Sequence, residues 1–350
     1  MSQQALDDQR RRAAAQQGLP SIRRSDFDIT NTVRVSSPQA VLQAVEQLYV
    51  PLWPGIQMEP VRRAFAQFDE LFSGRVPGYA GVDTLYHDRQ HTLDVTLTMA
   101  RICVGYEQQV DTLWKLGAER ALVGVVLALF HDVGYLRRAT DPVRNGAELT
   151  RTHVSRGVEF LRGYLPHLGM GTWTEVAAQV LHFTGYERPF AELVLNDARD
   201  LRLGHLLGTA DMITQLADRC YLEKCRDRLY PEFVLGGMAL PLANASPESV
   251  RYASGLDLLR QTPQFVNETR AKRLDGEFNA AYRYLDVLFD GRNPYMESIG
   301  RNMAFLDQVL RSESWRMLRR NPPLFAADPS TLADVRGLML GYFKRAWMRD

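Results

Sequence analysis

Residues Ala121 to Phe130, ALVGVVLALF, form an unbroken apolar run that ends in His131-Asp132. The run is about half the length of a membrane span, so it reads as a helix buried on every side in a protein core. An imidazole and a carboxylate at the C-terminal edge of such a helix are costly unless both are paired or bound to a metal. Val133-Gly134-Tyr135 then lets the chain turn sharply away. A capping aspartate beside a satisfied core histidine is the plain alternative, and these two residues alone leave both open.

The remainder of the chain is patterned to surround such a helix. No long alternating strand pattern occurs, whereas apolar residues at helical spacing recur in successive segments. The series starts at SPQAVLQAVEQLYVPLW, with Ser37 as cap candidate, and continues over about 58–73, 88–110, 116–131, 147–164, 172–183, 201–229, 247–260, 264–289 and 295–320. Gly134, Pro166 and Gly185 read as stops after three of them. The expectation is an all-α fold without internal repeats. Residues 1–36, polar and rich in Arg and Gln, read as a mobile N-terminal arm. Residues 37–235 form the main helical domain, and 236–350 a helical C-terminal extension packing on the core, joined through a loop from Val234 to Pro241.

Composition limits the partners. With 350 residues, 45% apolar and 24% charged, the chain has the make-up of a soluble globular protein. A formal charge of +1 gives no overall basic field, so a nucleic-acid partner is not expected. The N-terminal MSQQALDDQRRRAAAQQG lacks the apolar core of a secretory signal, and a cytoplasmic location without membrane attachment is expected. Cys103, Cys220 and Cys225 do not make a disulfide framework and read as small buried residues.

All seven histidines fall between residues 87 and 205. His87 and His91, in YHDRQHTLDV, are four apart, which on a helix puts both on one face. They could be two ligands of one zinc, a ligand beside a proton donor, or two surface histidines. His153 borders the apolar stripe Val154, Val158 and Leu161, and His182 ends VAAQVLHF. Asp211 sits in an apolar turn with Leu206, Leu207, Ala210, Met212 and Ile213, where a carboxylate needs a cation. Each alone is more often structural. Their joint occurrence points to a metal.

The series His91, His131-Asp132, Asp211 resembles the HD superfamily of metal-dependent phosphohydrolases, an all-α fold, over roughly residues 80 to 235. The opening Tyr-His-x-x-x-His-x-x-Asp-Val is further similar to the signature of class I cyclic-nucleotide phosphodiesterases. That resemblance implies His91 as a metal ligand and His87 as the general acid that protonates the leaving oxygen. His153 and His182 resemble the additional ligands of binuclear members, and His182-Phe183-Thr184-Gly185 is similar to the His-Thr-Thr-Gly of diadenosine-polyphosphate hydrolases. The implied centre is His91, His131, Asp132, His153, His182 and Asp211, with Asp132 bridging two divalent cations. The sequence departs from the class I pattern at Tyr135, where those enzymes place a histidine, and from the cyclic-di-GMP hydrolases at Gly185-Tyr186-Glu187.

A nitrogen–oxygen ligand set without thiolates suits iron, manganese, zinc or magnesium. A histidine acid beside such cations needs a carboxylate from a neighbouring helix to keep its proton. Arg137, Arg138 and Arg188 are candidates to grip a second phosphate, Tyr135 and Tyr186 to stack a base, and Asp94 to line the cleft. The expected function is a binuclear phosphohydrolase, most simply a phosphodiesterase acting on a cyclic or dinucleoside nucleotide, with a homodimer left open. Three rivals share parts of this pattern: an HD-fold diiron oxygenase, a non-catalytic nucleotide-binding sensor, and a zinc protease read from His87-Asp88-x-x-His91.

Overall fold

In the computed structural model, which describes residues 24–240 and 250–347, the helical periodicity becomes twelve α-helices. They are α1 (Pro38–Leu52), α2 (Glu59–Phe72), α3 (Arg89–Gln109), α4 (Gly117–Phe130), α5 (His153–His167), α6 (Thr174–Val180), α7 (Ala198–Ala217), α8 (Tyr221–Lys224), α9 (Tyr230–Leu235), α10 (Gly255–Thr269), α11 (Pro294–Ser312) and α12 (Thr331–Trp347). Among the described residues there is no strand beyond two isolated bridges, Phe27 with Arg34 and Tyr79 with Arg138. The fold is all-α. No described helix is long and apolar enough to cross a membrane.

The apolar run does lie at the centre. Every residue from Ala121 to Phe130 is buried, with α3 and α7 packed against α4. Gly124 is where the three helices approach most closely: a Cβ there would come within 2.7 Å of Met99 Cε and 3.0 Å of Leu203 Cδ1. α3 begins at Asp88, whose side chain accepts the His91 backbone N–H at 3.0 Å. Ser37 caps α1 as its sequence suggests, accepting from Ala40 N at 3.3 Å.

Several expected helices are broken by local chemistry. The 147–164 segment opens as a short turn, Gly146–Leu149, closed by a capping box between Asn145 and Glu148, and α5 starts only at His153. Pro166 sits in the last turn of α5 rather than beyond it. The 201–229 segment is interrupted at Asp218, which leaves the helical region (φ −53°, ψ 133°), and resumes at Tyr221, while 264–289 breaks at Asn279 and Ala280, both with positive φ (53° and 50°). α12 had no clear periodic signal.

Residues 1–23 of the expected arm lie outside the described residues. Residues 24–36 are anchored to the helical core through Asp28. Asp28 is fully buried and accepts from the backbone N–H groups of Thr30, Thr32 and Val33 at 3.0, 2.9 and 2.7 Å. Arg101 of α3 reaches the same carboxylate at 2.7 Å and also donates to the Tyr295 hydroxyl of α11 at 2.9 Å. Removing one partner of a buried pair strands the other charge, so Asp28→Ala should cost about 3–5 kcal/mol. Arg34→Ala, which breaks an exposed pair with Asp26, should cost no more than about 0.5 kcal/mol. Denaturant melts of the two variants check this; equal, small losses would refute it.

The C-terminal helices contact the central helices, α11 packing on α7. Asn302 and Ser298 of α11 donate to the C-terminal carbonyls of α7, at 2.8 Å to Leu216 O and 2.9 Å to Ala217 O. A strap then crosses the loop before α3: Arg228 donates to the carbonyls of Pro322 and Pro323, Phe325 N to Asp88 at 3.3 Å and Ala327 N to Val82 O at 2.8 Å. The loop expected from Val234 begins only after Leu235, the end of α9, and Pro241 lies outside the described residues. The three cysteines are buried and unpaired, and burial pushes the Cys103 and Cys225 thiols up to about 12, unlike metal ligands.

Candidate metal centre

Three buried helices deliver the centre. His91 projects from the first turn of α3, His131 closes α4, and Asp211 sits in the interior of α7. One donor atom from each lies within 4.8 Å of the others, close enough to hold a metal ion together. Their Nε2 atoms surround the Asp211 carboxylate, His91 at 3.4 Å and His131 at 3.7 Å. Asp132 adds a second carboxylate, its Oδ2 3.6 Å from His91 Nε2 and 3.1 Å from His131 Nε2.

The hydrogen bonds around these rings favour a cation between them. His131 Nδ1 lies 2.7 Å from the carbonyl of Ala128, which can only accept, so Nδ1 carries the proton. In the neutral ring Nε2 then points a lone pair at Asp132. His131 Nε2 and Asp132 Oδ2 are both buried and without a hydrogen bond among the described residues. Two facing acceptors repel unless a proton or a metal sits between them, and a histidine fixed by its other nitrogen is the usual arrangement of a ligand. Without a metal the proton takes that place. Burial pushes His131 down, but Asp132 and Asp211 overcome it and lift it to about 9. Burial likewise raises Asp132, yet His131, His87 and His91 hold it far below the usual carboxylate range.

His153, at the start of α5, repeats the pattern. Its Nδ1 lies 2.7 Å from Thr150 O and its Nε2 faces the other oxygen of Asp132 at 4.0 Å. Gly134 makes this approach feasible, because any Cβ there would overlap the His153 carbonyl. Burial, only partly offset by Asp132, lowers the His153 pKa. His182 is buried, with Nδ1 unpartnered among the described residues, and its pKa is lowered by burial and then by Arg188 and His153. It stands beside His153, at the edge of the group.

His87 differs from the sequence expectation. It precedes the Asp88 cap and lies outside α3, so the two histidines share no helix face; their rings meet edge-on with centroids 5.7 Å apart. The local signal was present, since an aspartate followed by helical periodicity is a cap. Asp88 in that role, buried and 3.6 Å from Arg228, also removes the zinc-protease reading, which needs an acid base on the helix. The carboxylate that a histidine acid requires is Glu232 of α9. Its Oε2 lies 2.6 Å from His87 Nδ1, and its Oε1 accepts from Tyr86 N at 2.6 Å and His87 N at 3.3 Å. Burial lowers the His87 pKa, but Glu232, Asp132 and Asp211 outweigh it and raise it to about 9.

The expected substrate contacts fare less well. Tyr135 is buried between two imidazoles, stacked on His87 at 4.6 Å and on His153 at 4.4 Å, so neither face can take a base. Arg137 bonds Asp83 at 2.7 Å, and Arg138 forms a fork with exposed Glu159 at 2.9 and 3.2 Å. Arg188 donates to Glu192 O at 3.0 Å. Arg137 and Arg138 are thus committed to carboxylates, while Arg188 acts on the group through its charge beside His182. Tyr186 is exposed, with the Arg273 guanidinium 3.6 Å over its ring, which leaves its outer face open. Asp94 lines a small cavity beside His91. Sequence reasoning did not name Glu232, or Glu187, which caps α5 through Val154 N at 2.7 Å and Ser155 N at 3.0 Å.

No family model, curated protein or solved structure matches this chain.

Proposed function

We propose that this protein is a metal-dependent phosphohydrolase of the HD type, most simply a phosphodiesterase acting on a nucleotide. The observation that carries the reading is a histidine held by a buried carboxylate, His87 on Glu232, next to a buried cluster of imidazoles and aspartates. A proton donor beside a metal site suits ester cleavage, in which the departing oxygen needs a proton.

In this reading the ligands are shared between two cations. His91, His131 and Asp211 gather on one side, Asp132 turns Oδ2 toward that group and Oδ1 toward His153, and His182 is the remaining candidate ligand. When bound, divalent cations supply a water of lowered pKa and neutralise charge on the phosphoryl oxygens. His87 donates Nδ1–H to Glu232, so Nε2 is the atom left to hold the transferable proton for the departing oxygen. Tyr135 keeps that ring in plane by stacking between His87 and His153.

The test combines metal analysis with turnover. Purified protein, reconstituted in turn with manganese, iron and zinc, is assayed on bis(p-nitrophenyl) phosphate, cyclic mononucleotides, cyclic dinucleotides, dinucleoside polyphosphates and nucleoside triphosphates. Hydrolysis that depends on about two metals per chain is the expected outcome. Oxygen uptake by the iron-loaded protein with no hydrolysis would favour the diiron oxygenase.

A further inference from the structure

The turn that follows His182 carries an exposed aromatic ring, Tyr186, held in place beside the centre. Both of its neighbours are pinned to Val154 of α5, the residue after His153. Gly185 packs so closely that a Cβ there would come within 2.5 Å of Val154 Cγ2, and Glu187 accepts from Val154 N at 2.7 Å. Desolvation and, against the pull of Arg273, the charge of Asp211 raise the Tyr186 pKa, so the phenol lies within electrostatic reach of the centre. One face of the ring is taken. The Arg273 guanidinium carbon lies 3.6 Å from its centroid and 4.9 Å from that of Phe190, and Phe190 stacks on Phe183 with centroids 4.9 Å apart and planes 11° from parallel. Phe183 is buried, whereas Tyr186 is 68% exposed, so a ladder of planar groups runs from the core to an open ring face. Arg273 comes from a π-helical turn, Arg270–Glu277, a geometry frequent at functional sites. It donates to Gly185 O at 2.9 Å, and its Nη1 is buried without a hydrogen bond among the described residues. Glu277, 3.8 Å from Nε, is too far to accept a hydrogen bond from it.

We propose that the outer face of Tyr186 is a shelf for a planar ring of the substrate, the base of a nucleotide, and that Arg273 is the positioning residue that holds the shelf. The inference rests on the phosphohydrolase reading above and narrows it to esters that carry a base. A flat ring laid on Tyr186 extends the ladder by one step and removes an apolar face of each partner from water. Tyr186 is already fixed from its other side, so little side-chain freedom is lost on binding. The Arg273 charge, without a hydrogen-bonded carboxylate, favours an electron-rich ring that carries a phosphate over a cationic one. An alkyl or polyol phosphate has no π-face to lay there, whereas every base has one.

Calorimetry on the manganese-loaded full chain tests this by comparing AMP and UMP with ribose 5-phosphate, which keeps the sugar and the phosphate but lacks the base. At least one of the two nucleotides is expected to bind at least ~10-fold tighter than ribose 5-phosphate, within the range that base–aromatic stacking supplies. Tyr186→Ala should bring the three ligands to equal affinity, whereas Tyr186→Phe, which keeps the ring, should retain the preference. Arg273→Met should narrow the preference while ribose 5-phosphate binds as before. Tyr186 is exposed, so Tyr186→Ala keeps the test decisive if the arginine variant misfolds. Equal binding of all three by the wild type, or a preference that survives Tyr186→Ala, overturns the shelf. A base preference in a protein that cleaves no ester upholds the shelf and sinks the hydrolase reading instead. Hydrolysis of phosphate esters with no base preference does the reverse.

Discussion

His87→Ala is expected to lower phosphodiester turnover about 10²–10⁴-fold while the protein keeps the metal content of the wild type. The expectation follows from position. His87 lies outside α3, its Nδ1 is committed to Glu232, and it is not one of the three side chains that can gather around one ion. Glu232→Gln tests the same pair more gently. The glutamine keeps the shape but removes the charge that holds the imidazole proton, so the His87 pKa falls. An acid must be protonated to act, so the alkaline limb of the pH–rate profile should move to lower pH in Glu232→Gln. In metal-free protein the sign can be read from stability as well. His87 is raised to about 9, so its contribution is fully present below its unfolded value near 6.5 and is lost as pH rises through about 9. Cations next to the ring oppose the carboxylates and draw this window downward. If His87→Ala loses metal as His91→Ala does, the division of labour between the two histidines is wrong.

Asp132→Ala should act on the metal itself, with metal content falling to background and hydrolysis dropping by at least ~10²-fold. Asp132 is the carboxylate whose two oxygens face different histidines, and its Oδ2 is buried without a hydrogen bond among the described residues. In the metal-free state its removal also leaves His131 without the partner that overcomes burial, so the His131 pKa should fall from about 9. Inductively coupled plasma mass spectrometry on the variant, with an NMR titration of the imidazoles, measures both. Wild-type metal content in Asp132→Ala would remove Asp132 from the centre.

What could be read from sequence divides along a physical line. Patterns set by neighbouring residues were legible: the helical periodicity, the buried run to Phe130, and the isolated Asp211 on an apolar face. His91, His131 and Asp211 do come together, and Asp132 and His153 stand beside them. Partners distant in the chain were not legible. Glu232 meets His87 across 145 residues and Arg101 meets Asp28 across 73, and only the folded chain brings them close. The arginines illustrate the converse error. Their sequence positions follow the histidine turns, but Arg137 and Arg138 are drawn to the carboxylates of Asp83 and Glu159, and Arg188 donates to the Glu192 carbonyl. Tyr135 takes the position of an expected histidine, and burial turns it into a spacer between two imidazoles.

The central claim, that this buried group binds metal in order to cleave phosphate esters, is tested most directly by hydrolysis of bis(p-nitrophenyl) phosphate before chelation, after chelation and after metal is restored. The account predicts activity that disappears with the metal, returns with it, and scales with occupancy up to about two ions per chain. Full metal loading with no hydrolysis of any phosphate ester, or hydrolysis that survives complete removal of metal, would contradict it.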